Sequence, residues 1–324
     1  MKTYPLTWGE SITVRQRFIE VFGSPFILGD KQLEECSYVP FVGDAELIEL
    51  TKKVIKRQTG REYDHILLTN GATGAINVAL RAYRQQGYMA AVTRPGPYFS
   101  LYPSMIKHSG LEHSTDQGER DPYVRLIDSP SNPLGEVLST LENWTVPTIW
   151  DSVYHTNCYT PGGLAVPCHE VAVGSYSKLT GLNGIRVGWV ATNDPILYER
   201  QKALVASEYC GICKISCDLL KHLLVGKDDL WCEFETLSRY WLDMNRTEWA
   251  KLERYFGGHP VSPMGMFYFS AMDSACKRLM VKAGIEYMGG ENFGSDSDHG
   301  RFNIGHDPKV IKAAVKAILK ADKI

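Results

Sequence analysis

Short apolar runs, many of them β-branched and bounded by glycine, proline or charged residues, recur along this chain. Runs of that kind read as buried strands, and the pattern predicts them at 65–70, 89–93, 123–128, 146–150, 171–174, 187–192, 265–269 and 301–305. Between them, apolar positions follow helical spacing. One such stretch opens at Asp44 and carries Leu47, Leu50 and Val54 on one face. Another follows Gly71 and carries Ile76, Ala79, Leu80 and Tyr83. A first helix is expected at 14–22, stopped by Gly23-Ser24-Pro25, and Asn193-Asp194-Pro195 reads as a helix entry. The charged, amphipathic stretch 229–256 is expected to be one long helix, with others at 274–283 and 308–321.

The chain has 324 residues, 44% hydrophobic and 22% charged, which is enough for two domains or one large α/β core. A formal net charge of -2 leaves no electrostatic footprint for nucleic acid. No apolar run approaches the roughly 18 residues of a membrane span, so no membrane association is expected. The opening Met1-Lys2-Thr3-Tyr4-Pro5-Leu6-Thr7-Trp8 lacks the apolar core of a secretion signal. Together with 8 cysteines, this favours a cytoplasmic protein with reduced thiols. Cys210-Gly211-Ile212-Cys213 matches a CxxC spacing, but no second ligand pair follows and no metal is expected. Cys210, Cys213 and Cys217 also share the spacing of one helix face, which is the reading adopted; the other cysteines, Cys168 among them, carry no pattern.

Chemistry concentrates in Val171-Ala172-Val173-Gly174-Ser175-Tyr176-Ser177-Lys178, with Arg186 a little further on. A lysine where a buried strand ends is held rigidly in a place with little water. Desolvation there favours a neutral amine able to attack a carbonyl. Ser175, Ser177 and Arg186 are the groups that would hold a phosphate nearby. An amine nucleophile beside a phosphate holder suggests an aldehyde cofactor carrying a phosphate, pyridoxal 5'-phosphate. Strand, Gly71-Ala72-Thr73-Gly74 and helix together form an anion cradle, although such a turn does not name its ligand. Asp151, at the end of a buried strand, needs a partner: taken alone it reads as a helix N-cap, and a protonated pyridine nitrogen is the other suitable partner.

Ser-x-Ser-Lys followed by Arg-x-Gly resembles the pattern of fold-type-I pyridoxal-phosphate enzymes. Within them, Ser177-Lys178-Leu179-Thr180-Gly181-Leu182-Asn183-Gly184-Ile185-Arg186-Val187-Gly188-Trp189 is most similar to the alliinase and tryptophan-aminotransferase branch of the class I/II aminotransferases. The resemblance covers about residues 38–305, through motifs in the family's order. It implies an α/β fold: a large domain with a mostly parallel seven-stranded sheet, plus a small α+β domain. The expected division is 29–230 for the large domain, with 1–28 and 231–324 forming the small domain and an N-terminal arm.

The resemblance also implies roles. Lys178 is the Schiff-base lysine, Gly71, Ala72 and Thr73 belong to the phosphate loop, and Asp151 pairs with the ring nitrogen. Asn132, in Ser129-Pro130-Ser131-Asn132-Pro133-Leu134-Gly135, and Tyr154 donate to the cofactor's phenolic oxygen. Leu134 and Ser129 depart from the usual threonine and asparagine of that motif. Tyr98 matches the aromatic that stacks on the pyridine, with Phe99 left open because Arg94-Pro95-Gly96-Pro97 adds a residue ahead of it. Arg301 matches the arginine that grips the substrate carboxylate, Asn132 lies on the same side, and Trp8-Gly9 resembles the segment over the substrate. Trp8, Tyr98, Phe99 and Tyr102 together suggest an aromatic-walled pocket. Tyr38, in Tyr38-Val39-Pro40-Phe41-Val42-Gly43, matches the tyrosine that reaches a neighbouring subunit's phosphate, which implies a homodimer with a shared active site.

The expected activity is transfer of an amino group between an L-amino acid and a 2-oxo acid. Alternatives are a β-eliminating C–S lyase of the alliinase type, a non-catalytic regulator, and a nucleotide-type phosphate binder. The last is disfavoured by the absence of GxxxxGK[ST] and GxGxxG.

Overall fold

The computed structural model of the chain describes every residue except 1, 35, 117–121, 139–145, 161–163, 165, 168, 259, 263 and 324. In chain order, β1 (Tyr4–Pro5) and α1 (Ile12–Phe22) precede α2 (Asp30–Glu34) and α3 (Ala45–Thr59). Then come β2 (His65–Thr69), α4 (Gly71–Gln85), β3 (Ala90–Val92), α5 (Tyr102–His108), β4 (Glu112–Ser114), β5 (Tyr123–Asp128) and β6 (Thr148–Asp151). Next are β7 (Val171–Ser175), α6 (Tyr176–Leu179), β8 (Gly188–Thr192), α7 (Pro195–Tyr209) and α8 (Lys214–Leu224). The C-terminal part holds α9 (Trp231–Ala250), β9 (Phe267–Ala271), α10 (Ser274–Ala283), β10 (Ile285–Glu286), β11 (Met288–Gly289), β12 (His299–Asn303) and α11 (Pro308–Ala321).

Seven strands form the main sheet in the order β2-β8-β7-β6-β5-β3-β4. Pairs on either side of β8 are antiparallel and the others parallel, so the expected mostly parallel seven-stranded sheet is present. Strands β6, β7 and β8 are buried along their whole length, as a sheet covered on both faces requires. Alternation along β2 divides the interior. Ile66 and Leu68 join a core with Leu47, Val54 and Trp189, while Leu67 points the other way, toward Ala79, Leu80 and Leu204. Gly174 is required where the Trp189 ring crosses β7, because a Cβ there would lie 2.3 Å from that ring. A smaller antiparallel sheet, β11-β12-β9, packs with α10 and α11 around Phe256, Phe302, Ile311 and Val315.

Several expectations are corrected. The stretch 229–256 is not one helix: α9 is flanked by separate 3-10 turns at Asp228–Leu230 and Glu253–Phe256. The strand expected at 265–269 begins later, because Gly265 adopts a left-handed turn at φ 70°. The three spaced cysteines do not share a helix face. Cys210 caps α7 in the left-handed region, Gly211 follows at φ 103°, and Cys213 caps α8, so only Cys217 is buried within a helix. Cys168 lies outside the described residues. Among those described, no helix is long and apolar enough to cross a membrane.

Candidate active site

Asp128, Asp151 and Ser175 are the last residues of β5, β6 and β7. They open into one cleft of about 440 Å³, together with the N-terminus of α4, the segment Trp8–Glu10, Lys178 and Arg301. Ligand sites in open α/β sheets lie outside the carboxyl ends of the strands in this way.

Ser175 ends β7 and starts α6, its hydroxyl accepting from Ser177 N at 3.0 Å and donating to Val187 O at 3.1 Å. This cap sets Lys178 within the short helix, and Tyr159 fixes it further by donating to the Lys178 carbonyl at 2.8 Å. Lys178 Nζ donates to the carbonyl of Gly9 and to Asn183 Oδ1, the latter at 3.4 Å. Burial, assisted by the positive charge of Arg301, lowers the ammonium to about 8.

A second region of the cleft is an anion cradle. Gly71 turns left-handed at φ 73° to start α4, whose first N–H groups and dipole favour negative charge. Ala72 and Thr73 line the cleft there. Gly188 brings β8 against this turn: a Cβ on it would lie 2.4 Å from Gly71 C. Arg186 sits in the left-handed region at φ 54°, uncommon for a side-chain-bearing residue. From there Nη1 reaches Ser177 Oγ at 3.3 Å and Nη2 reaches Asn70 O at 3.4 Å.

The carboxyl region is dry. Asp151 accepts from Tyr102 Oη at 2.8 Å and from Val153 N at 3.0 Å. Burial raises its carboxyl to about 6 despite those donors. Burial likewise holds the Tyr154 phenol in its neutral form. Arg301, 4% exposed, lies between Phe267 and Phe293 with its guanidinium carbon 4.1 and 4.7 Å from the ring centroids. Nη1 donates to Asn132 Oδ1 at 3.0 Å and Nη2 to Thr7 O at 2.8 Å, while buried Nε has no partner among the described residues.

Most of the residues expected at the site therefore converge: Ala72, Thr73, Asn132, Asp151, Tyr154, Ser175, Ser177, Lys178, Arg186, Arg301 and Trp8 all line the cleft, and Gly71 shapes its turn. Tyr98 does not. Its N–H donates to Phe293 O at 2.9 Å and its ring packs edge-on to His113, so the Pro-Gly-Pro turn delivers Phe99 to the cleft instead. Tyr102 is no wall residue either; fully buried, it stands behind Asp151. Tyr38 stays away from its own chain's cleft, 88% exposed. Sequence reasoning missed Asp128, and it missed Asn303, whose amide holds the arm by donating to Trp8 O at 2.6 Å and Glu10 O at 2.8 Å. Neither carries a local signal, since each matters through residues distant in the chain. Among the described residues no group of side chains suits a metal.

This donor set fits a phosphorylated pyridine aldehyde. The amine of Lys178 is depressed, an anion cradle shaped by Gly71 and Gly188 lies in the same cleft, and among the described residues Asp151 is paired with no cation and Arg301 Nε with no acceptor.

A family model described as aminotransferase class I and II matches residues 116–318. Tryptophan aminotransferase-related protein 1 of Oryza sativa subsp. japonica is 30% identical over 176 residues, 51% of this chain and 40% of that protein. The chain thus aligns with well under two thirds of the length of such relatives. Histidinol-phosphate aminotransferase 1 of Legionella pneumophila (strain Lens) is 25% identical over 92% of this chain and 87% of its own. In fold, an aromatic aminotransferase from Pyrococcus horikoshii OT3 superposes with a TM-score of 0.78 at 18% identity, covering 99% of this chain and 96% of that one. The chain belongs to the class I and II aminotransferase family, whose members use pyridoxal 5'-phosphate.

Proposed function

We propose that the chain is a pyridoxal-phosphate-dependent aminotransferase acting on an L-amino acid and a 2-oxo acid. The observation that carries this reading is one cleft holding a depressed lysine, a cation-free buried aspartate and a buried arginine fork. When bound, the cofactor supplies a carbonyl for amine exchange and a cationic ring that delocalises the electrons of a broken Cα–H bond. Lys178 anchors it and, once freed, accepts the proton leaving Cα and returns it to the cofactor carbon, as general base and acid. Asp151 keeps the ring nitrogen protonated, and Asn132 and Tyr154 donate to the ring's phenolic oxygen. Phe99 offers a face for the ring. Ala72, Thr73, Ser177 and Arg186 hold the phosphate, with Ser175 setting the start of α6. Arg301 grips the substrate carboxylate, exchanging its bond to Thr7 O for a ligand oxygen and so fixing the bond to be broken.

A homodimer with Tyr38 lent to the neighbouring cleft is part of the same reading. Its support is that Tyr38 is 88% exposed, in a segment that also exposes Ile27, Leu28, Leu33 and Phe41. For the division at 29–230, with 1–28 and 231–324 apart, the support is the separate core of Leu6, Trp249, Phe302 and Ile318, while Val14, Phe18, Phe22, Phe234 and Leu242 pack into the large domain's core. The direct experiment mixes the yellow enzyme with single amino acids and records bleaching to the aminated form, followed by its reversal with a 2-oxo acid. Lys178→Ala is expected to abolish the conversion, and full turnover in that variant without added amine refutes the reading. Release of ammonia and pyruvate without any acceptor would instead establish the C–S lyase alternative.

A further inference from the structure

Nothing in the family resemblance assigns a role to Asp128. The parallel register pairs it with Asp151 across β5 and β6. Residues so paired project to the same face, on strands about 4.8 Å apart. Two carboxyl groups therefore stand side by side in the cleft, 4% and 7% exposed.

Their surroundings differ. Asp151 has two donors, Tyr102 Oη and Val153 N. Asp128 accepts from Asn132 N at 2.8 Å through Oδ2. The groups facing it from the packed elements are Asp151 on β6, Tyr102 on α5, Tyr154 beyond β6, and Arg94 after β3. The tyrosines are neutral, and Arg94 is engaged with Glu136 at 2.5 Å. Two carboxylates this close in a dry site do not both ionise near neutrality. Each carboxyl has two donors, but one of Asp128's is only its own backbone N–H, whereas Asp151 takes the Tyr102 hydroxyl as well as Val153 N–H to stabilise its charge. In agreement, burial and the neighbouring Asp151 push Asp128 up to about 7, against about 6 for Asp151.

The geometry points to Asp128 as a positioning residue: a carboxylic acid that keeps its proton beside Asp151, so that Asp151 alone carries charge into the cleft. Its carbonyl oxygen meanwhile anchors the Asn132 backbone, and Asn132 Oδ1 in turn accepts from Arg301. The effect on turnover rests on the aminotransferase reading; the proton itself does not.

Infrared titration of the 324-residue chain freed of cofactor tests the proton. A protonated-carboxyl C=O band is expected to disappear with a midpoint near pH 7 and to be absent from Asp128→Asn. Kinetics test the role. Asp128→Ala removes the acceptor for Asn132 N–H and is expected to raise KM for the amino acid about tenfold. Asp128→Asn, neutral and still an acceptor, recovers most of that loss. Because Asp151 itself titrates near 6, a wild-type chain with one carboxyl titrating there and none near 7 overturns the inference even where a variant fails to fold. So does an Asn variant as impaired as the Ala variant, because an anion would then be required. A chain that shows the band but never transaminates refutes the proposed function while leaving the proton assignment standing.

Discussion

Arg301 on β12 donates through Nη1 to the side-chain oxygen of Asn132, 3.0 Å away in the turn after β5. That bond ties the small antiparallel sheet to the main one and aims a guanidinium, stacked between Phe267 and Phe293, into the cleft.

Arg301→Lys keeps the charge but loses the planar fork and the stacking. It is expected to raise KM for the amino acid about a hundredfold, the scale of losing charged hydrogen bonds, with a smaller fall in kcat. Steady-state kinetics with a saturating 2-oxo acid check this. An unchanged KM removes Arg301 from carboxylate binding.

Lys178 sets a pH dependence. Its ammonium, lowered by burial from 10.5 to about 8, gives a reactive amine at a lower pH than an ordinary lysine. Incorporation of pyridoxal 5'-phosphate into the cofactor-free chain, trapped by borohydride, is expected to accelerate with a midpoint near pH 8. A midpoint near 10.5 would place the amine in ordinary solvent.

Asp151 is costly to the chain without cofactor. Its folded carboxyl keeps a proton up to about pH 6, whereas the unfolded one releases it near 3.8. Between those values the folded state binds more protons, so stability falls as pH rises through the window, and the penalty is complete above about 6. Asp151→Asn is expected to stabilise the cofactor-free chain by about 3 kcal/mol at pH 7.5 and to leave it unchanged below about pH 4. The same variant is expected to lose transamination. Denaturant melts at both pH values check the first part, and a variant less stable at pH 7.5 contradicts it.

Asn303→Ala releases the arm over the cleft, because its amide donates to the carbonyls of both Trp8 and Glu10. Losing two buried hydrogen bonds costs about 1–3 kcal/mol, felt locally. The expected result is a higher KM and faster hydrogen exchange confined to residues 6–10. Exchange that rises throughout β9 and β12 instead would mean that Asn303 serves the small sheet.

Strands and helices were legible wherever burial imposed a local pattern. The β-branched run before Lys178 is strand β7, buried on every residue, and the helix at 308–321 matches α11. Legibility failed where a residue's meaning depends on a distant partner. Asp128 reads locally as the last residue of a strand, yet its chemistry comes from the register with Asp151. Tyr98 and Phe99 are both aromatic neighbours of a Pro-Gly-Pro turn, and only the packing of Tyr98 against Gly294 and His113 separates them.

By itself the amino-acid order determined the buried strands before Lys178 and Asp151 and the glycine turn before α4, because these follow from short-range periodicity and turn chemistry, while the α/β fold class came from the motifs' resemblance to a family. The tertiary structure decided which acid keeps its proton, which aromatic faces the cleft, and that the Gly9 carbonyl meets Lys178. Those outcomes depend on dielectric surroundings and on groups brought together by sheet register and chain crossing, which no local pattern encodes.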